Sequence, residues 1–219
     1  IIFCPPFTSL FHINEMISDL DMSLGAQNVY FEKEGAFTGE ISVNMLKSCS
    51  VQYVIIGHSE RRHIFNESNK DTNRKIHTVL DNEIIPIFCV GEKLDDRESN
   101  NTRTILLEQL EEGLAGVNID ALDRIIIAYE PVWAIGTGVN ALPNQVQESH
   151  KMIRDILMEL YDNNLNIDIP ILYGGSVKPD NSEELINTKG VDGFLIGGAS
   201  LNLDTFSKII EIVHSKFMR

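Results

Sequence analysis

The chain has 219 residues, with 43% hydrophobic and 23% charged residues and a formal net charge of −14. That balance is ordinary for a globular protein and is too acidic for nucleic acid or an acidic membrane to be a natural partner. No apolar run approaches the roughly 18 residues of a membrane span, and Cys4, Cys49 and Cys89 form no Cys-x-x-Cys pair, which argues against a disulfide framework or zinc site and for reduced thiols in a cytoplasmic setting.

Short apolar runs alternate with helical patterns along the chain. The first, Ile1–Cys4, opens without a methionine and is followed by Pro5-Pro6. The next strands fall at Ser23–Gln27, Tyr53–Gly57, Ile84–Val90, Ile125–Glu130, Ile171–Tyr173 and Gly193–Ile196. Most are continuously hydrophobic, as parallel strands covered on both faces should be. Helical spacing is clearest over Pro143–Tyr161, where Val146, His150, Ile153, Leu157 and Leu160 share a face and Pro143 suits the first turn. Asn69–Leu80 is helical, with Ser68 and Asp71 placed to cap it. Arg97–Leu114 carries Ile105, Leu106, Leu110 and Leu114, and the last helix carries Phe206, Ile209, Ile210, Val213 and Phe217. No linker or composition shift divides the chain, so residues 1–219 are expected to form a single domain.

Strand–helix units of about 31 residues fit a βα repeat. An open doubly wound sheet would place a Gly-rich fingerprint after its first strand, where this chain has Pro5-Pro6. The alternation therefore points to a closed (β/α)₈ barrel. A barrel has eight units and about 250 residues; seven units are visible, and the expectation is that the first strand and helix are missing from the N-terminus. Asn66-Glu-Ser68 and Asn100-Asn-Thr102 match a glycosylation pattern that, with no signal segment opening this sequence, is expected to be accidental.

Candidate chemistry sits at the strand ends. The run Ile125–Gly138 begins as a buried strand and places one carboxylate, Glu130, at its C-terminal tip. The apolar segment Pro131, Val132, Trp133, Ala134, Ile135, Gly136, Thr137 and Gly138 then reads as a lid whose closure would desolvate the carboxylate and strengthen it as a base. Trp133 is expected to pack within the lid. His58 ends another strand, before the helical turn opened by Ser59-Glu60. The positive end of that turn disfavours added charge, and a neutral ring still donates to an oxygen and shuttles a proton. Taken singly, Glu130 reads as a salt-bridged strand-end carboxylate and His58 as a helix cap; together they read as a base and an electrophile.

Tyr173-Gly174-Gly175-Ser176 and Ile196-Gly197-Gly198-Ala199-Ser200 are Gly-rich ends of the last two strands. Glycines let backbone N–H groups approach an anion, and the last two loops of a barrel are its usual phosphate site. Gly35–Glu40 carries Phe37 between glycines, which fits either an interface tip or a locally packed loop. His12, His63, His77, His150 and His214 show no partner pattern and are read as surface or packing residues.

Together these blocks resemble the triosephosphate isomerase family along the whole chain: Cys4–Phe7, Gln27–Val29, Gly35–Glu40, Gly57–Arg62, Cys89–Glu92, Ala128–Gly138, Tyr173–Lys178 and Gly193–Leu201. The resemblance implies a TIM barrel that interconverts dihydroxyacetone phosphate and glyceraldehyde 3-phosphate through an enediol(ate), in glycolysis and gluconeogenesis, without cofactor or metal. It implies Glu130 as the base, His58 as the neutral electrophile and Glu60 as a supporting carboxylate. Gly136, Ser176, Gly197 and Gly198 would hold the phosphate. Phe37, Thr38, Gly39 and Glu40 would enter a second subunit of a homodimer, with Thr38 reaching that subunit's site. Two departures stand out: Val139-Asn140 follow Gly138 where the family usually has a lysine, and no segment matches the family's first-strand asparagine and lysine. A non-catalytic phosphate-binding barrel fragment is the alternative those absences raise.

Overall fold

The computed structural model describes residues 1–135, 140–161 and 169–217. The chain divides into two compact units, Ile1–Cys89 with Glu111–Ile126, and Val90–Leu110 with Ile127–Arg219.

In the first unit the strands β1 (Ile2–Phe3), β2 (Ser23–Ala26), β3 (Tyr53–Ile56) and β4 (Ile85–Val90) follow one another in sequence order. All pair in parallel, with Phe3 opposite Leu24, Gly25 opposite Tyr53 and Ile56 opposite Phe88. Parallel neighbours need a crossover. Helices α1 (Leu10–Ile17), α2 (Val43–Ser48), α3 (Ser59–His63) and α4 (Asn69–Leu80) lie between them in the chain. The continuous apolar runs are buried as expected: Leu24, Val54, Ile56 and Phe88 on the strands, and Ile76 and Val79 on α4. The cap expected for α4 is present. The Ser68 hydroxyl accepts from the Asp71 amide at 3.1 Å, and the Asp71 carboxylate accepts from the Ser68 amide at 3.3 Å.

The second unit begins at the last residue of β4 and holds α5 (Leu94–Glu98), most of α6 (Thr102–Gly113), most of β5 (Ile126–Tyr129), α7 (Pro143–Leu160), β6 (Ile171–Tyr173), α8 (Pro179–Ile186), β7 (Gly193–Phe194) and α9 (Leu203–Phe217). Strands β5, β6 and β7 pair in parallel in that order, with Tyr129 opposite Tyr173 and Tyr173 opposite Phe194. Helix α7 starts where Pro143 predicts, and the Gln145 side chain accepts from the Leu142 amide at 2.9 Å. Its buried face is Val146, Ser149, His150, Ile153, Ile156 and Leu157.

All seven expected strands form, each trimmed by at most two residues at an end. The helix expected over Arg97–Leu114 is interrupted: α5 ends at Glu98 and α6 begins at Thr102. Between them Asn100 takes φ 58°, a left-handed conformation that Asn tolerates better than most residues. The run Ser99-Asn100-Asn101 offers the backbone local polar alternatives to a helix, which is why the periodicity on either side does not carry through it.

Candidate active site

The residues singled out in the sequence fall at the carboxyl ends of strands. His58 and Glu60 follow β3 in the first unit, which also holds the loop of Phe37, Thr38, Gly39 and Glu40. Glu130 follows β5, Ser176 follows β6, and Gly197 and Gly198 follow β7, all in the second unit. Of the lid, residues 131–135 are described; Gly136, Thr137 and Gly138, and with them Val139 of the hinge, lie outside the described residues.

In the first unit, Gly57 turns the chain out of β3 at φ +72°, where a side chain would be strained and a Cβ would stand 2.7 Å from the Arg62 guanidinium. Arg62 donates to the Gly57 carbonyl at 2.7 Å and the Cys89 carbonyl at 3.2 Å, so the end of β3 is held to β4. His58 is the N-cap of α3, and its Nδ1 accepts from the Glu60 amide at 3.3 Å. A ring nitrogen that accepts carries no proton, so this bond selects the tautomer with hydrogen on Nε2 and leaves that atom as the donor. The Glu60 carboxylate stands 3.7 Å from the same Nδ1. One residue on, Arg61 pairs with Glu67 at 2.7 Å, and Glu67 also binds the buried Lys75, whose Nζ donates to Asn28 at 2.9 Å. Burial, opposed by Glu67, lowers the Lys75 pKa. This chain of charges fixes the segment behind His58.

Phe37, at the loop tip, is 41% exposed, and its ring lies 4.7 Å from that of Tyr30. Thr38, Gly39 and Glu40 are exposed. The base of the loop is tied down: the Tyr30 amide donates to Ile41 at 2.8 Å and the Thr78 hydroxyl to the Phe31 carbonyl at 2.7 Å.

In the second unit, Glu130 is 2% exposed. Its amide donates to the Val90 carbonyl at 2.8 Å, and the Val132 amide donates to the Glu92 carbonyl at 3.1 Å. Between those two acceptors lies Gly91, where a Cβ would stand 1.7 Å from the Glu130 carbonyl oxygen. Only glycine lets the two backbones come so close. The described part of the expected lid is a single 3-10 turn over Val132–Ala134, anchored by Trp133, whose indole N–H donates to Glu92 at 3.0 Å. Trp133 thus does more than pack.

Glu92 is the residue the sequence reading gave no role. It is fully buried, and its Oε1 accepts from Tyr129 at 3.0 Å and faces Arg97 at 3.3 Å as well as Trp133. Tyr129 accepts in turn from Ser149 at 3.0 Å. Burial, followed by the Glu92 charge, pushes the Tyr129 pKa well up, so the phenol stays a neutral donor. Arg97 also lies 5.3 Å from the Trp133 ring centre. The signal for Glu92 was its place: like His58 and Glu130, it is a lone polar residue just past a buried strand.

At the Gly-rich ends, Ser176 accepts from Asn181 through its carbonyl at 3.1 Å, while Gly197 and Gly198 are exposed with nothing within 4 Å of where a Cβ would lie. That space leaves the backbone open to a ligand. Of the five histidines set aside in the sequence, His150 is fully buried, with Nδ1 2.9 Å from the Gly190 carbonyl. His77 meets the Ala115 carbonyl at 2.8 Å.

The triosephosphate isomerase family model matches residues 1–213. The chain belongs to the triosephosphate isomerase family. Among its relatives are the triosephosphate isomerase of Dictyoglomus turgidum, 49% identical over 96% of this chain and 85% of that protein, and that of Carboxydothermus hydrogenoformans, 47% identical over 95% and 83%. A crystal structure of triosephosphate isomerase from Bartonella henselae matches with a TM-score of 0.87 and 38% identity, covering 97% of this chain and 86% of that one. The fold is the (β/α)₈ TIM barrel of the triosephosphate isomerase family, represented here by seven βα units, and the family makes the chain an isomerase.

Proposed function

We propose that this enzyme interconverts dihydroxyacetone phosphate and glyceraldehyde 3-phosphate, with Glu130 moving the proton between adjacent carbons and His58 serving the oxygens. The observation that carries the residue roles is the buried Glu130 carboxylate at the tip of β5, in a chain whose residues 1–213 match the family model. A base held on a rigid strand loses little freedom on reaching its transition state, and its burial removes the water that would otherwise weaken it. Glu130 takes the proton from the carbon beside the substrate carbonyl. The His58 Nε2–H donates to the oxygen that gains charge as the enediolate forms, then the same groups return protons to the neighbouring atoms. Glu60 is the supporting residue of this reading, its backbone amide donating to the His58 ring.

In this reading Ser176, Gly197, Gly198 and Gly136 grip the phosphate through backbone N–H groups, and the segment Pro131–Gly138 closes over the reacting carbons. The open space at Gly197 and Gly198 supports the first of these. The proton transfers run through side chains, so the proposal includes no cofactor or metal. The chain, residues 1–219, acts as one domain in the cytoplasm, in glycolysis and gluconeogenesis. It pairs as a homodimer through Phe37, Thr38, Gly39 and Glu40, whose exposure on a loop anchored at its base supports that role.

The test is coupled isomerase turnover together with deuterium exchange at the substrate carbon in D2O. Glu130→Gln should lower both by about 10²–10⁴-fold, the usual contribution of a positioned base, and His58→Gln should lower turnover comparably. Unchanged exchange in Glu130→Gln would show the wrong base; binding of triose phosphate without turnover by the unaltered chain would leave only a phosphate-binding barrel.

A further inference from the structure

Nothing in the reaction chemistry involves Gln109, yet it is a buried polar side chain bonded to Gly91, against which the backbone of Glu130 lies. It lies on α6, is 8% exposed, and sits beside the fully buried Leu106 and Leu110, which fix the orientation of that helix face. Its amide makes two bonds to one residue: Oε1 accepts from the Gly91 N–H at 2.8 Å, and Nε2 donates to the Gly91 carbonyl at 3.0 Å. A side-chain amide here does what a neighbouring strand would do, satisfying both backbone groups of a buried residue.

Gly91 is the centre of the shelf on which the base rests. The carbonyl before it receives the Glu130 amide, the carbonyl after it receives the Val132 amide, and its own α-carbon lies against the Glu130 carbonyl. A glycine, with the widest backbone freedom of any residue, is a poor reference point unless something holds it. The clamp from Gln109 is what holds it.

We propose that Gln109 is a positioning residue for the isomerase reaction, setting the height and direction of Glu130 and the root of its lid through Gly91. The proposal rests on the reading of Glu130 as the base. It explains why an amide is used there: an acceptor and a donor must be presented side by side, which neither an apolar side chain nor an ionised carboxylate does.

The experiment uses Gln109→Met, which keeps length and removes both bonds, and Gln109→Glu, which as a carboxylate keeps the acceptor and turns the donor into a second acceptor facing the Gly91 carbonyl. In folded Gln109→Met, kcat should fall about tenfold or more, since misplacing a reacting group by about 1 Å costs roughly 10²-fold, while KM stays within about twofold. Backbone amide exchange at Glu130 and Val132 should quicken by about tenfold, with Ala128 unchanged, because the loosening is local. Protonation of the glutamate restores a donor, so the kcat of Gln109→Glu relative to the parent chain should rise as pH falls, whereas the ratio for Gln109→Met stays flat. A folded Gln109→Met with parental kcat and parental exchange would overturn the proposal, and so would a pH-independent ratio for Gln109→Glu. Should Gln109→Met not fold, the Gln109→Glu profile decides. Amide exchange is read without turnover, so the two failures separate: unchanged substrate-carbon exchange in Glu130→Gln sinks the assignment of Glu130, whereas unchanged amide exchange at Glu130 and Val132 in Gln109→Met sinks that of Gln109.

Discussion

Replacing Arg97 by methionine isolates the ion pair that Arg97 makes with Glu92. Glu92 is fully buried, and the Arg97 guanidinium, 18% exposed, is its positively charged partner among the described residues at 3.3 Å. At an effective dielectric of about 20 a pair this close attracts by roughly 5 kcal/mol. Desolvating both charges offsets most of that, so the net worth of the intact pair is small. Removing one member is a different matter. The carboxylate then stays buried with the Tyr129 hydroxyl and Trp133 indole as its partners among the described residues, and breaking a buried pair this way costs about 3–5 kcal/mol. The other Arg97 contacts add little: Glu148 is 67% exposed at 3.6 Å, the bond to the Ser149 hydroxyl is long at 3.5 Å, and the Trp133 ring contributes about 0.5–1 kcal/mol. Taking about 3 kcal/mol and roughly 2–4 °C per kcal/mol for a chain of this size, Tm should fall by about 6–12 °C. Circular dichroism melts give that number. Fluorescence of Trp133, the sole tryptophan, reports whether the indole has moved. Two comparisons test the reasoning itself. Lys151→Met breaks the exposed i,i+4 pair with Asp155 and should shift Tm by no more than a degree or two, since such pairs are worth about 0.3–0.5 kcal/mol. Adding Glu92→Gln to Arg97→Met should recover at least half the loss, because the amide still accepts from Tyr129 and Trp133 but leaves no buried charge. If the double variant is as unstable as the sum of its parts, an uncompensated charge is not the cause of the loss.

Other perturbations follow from the same geometry. Gly91→Ala drives a methyl group to within 1.7 Å of the Glu130 carbonyl, so soluble yield or turnover should collapse; a soluble variant with parental turnover would contradict the close approach. Ser68→Ala removes the cap of α4 and should cost about 1 kcal/mol by urea unfolding. The Ser68 hydroxyl is also the main cause holding the Asp71 pKa below the usual 3.8, so the difference from the parent should be full above pH 3.8 and shrink below it as the carboxylate protonates. Burial pushes the His150 pKa down to about 4 from 6.5. Its contribution is therefore complete above pH 6.5 and lost as pH falls toward 4, with a slope of up to about 1.4 kcal/mol per pH unit. Unfolding free energies of His150→Phe should decline less steeply than those of the parent over that window; parallel curves would show that His150 is not the group responsible.

The strands, and the catalytic candidates at their ends, were legible because both signals are local. Ile125-Ile126-Ile127 is apolar without alternation, and Glu130 follows it directly, so a reader of adjacent letters finds both. The same holds for His58 after Tyr53–Gly57. Where local signals compete, the boundary shifts: apolar spacing continues across residues 97–114, but Ser99-Asn100-Asn101 breaks the helix from within. The residues hydrogen-bonded around Glu130 answer to a different logic. Gln109 is 18 positions from Gly91, and Ser149 is 20 from Tyr129. In a list of letters each is one more polar residue on a helix, and polar residues on helices are mostly solvated.

Their address within the helix is nevertheless informative. On α6 the buried positions are Thr102, Leu106, Gln109, Leu110 and Gly113, a single stripe at spacings of four and three. Gln109 interrupts that stripe with two hydrogen-bonding groups that water cannot reach. On α7, Ser149 and His150 do the same between Val146 and Ile153. A buried amide, hydroxyl or imidazole without a partner is expensive, so each such interruption implies a partner elsewhere in the fold. In these cases the partners are the Gly91 backbone, the Tyr129 hydroxyl and the Gly190 carbonyl. The first two lead in one step to the neighbours of Glu130, so the polar breaks in apolar stripes point to the surroundings of that carboxylate as the strand end points to the carboxylate itself.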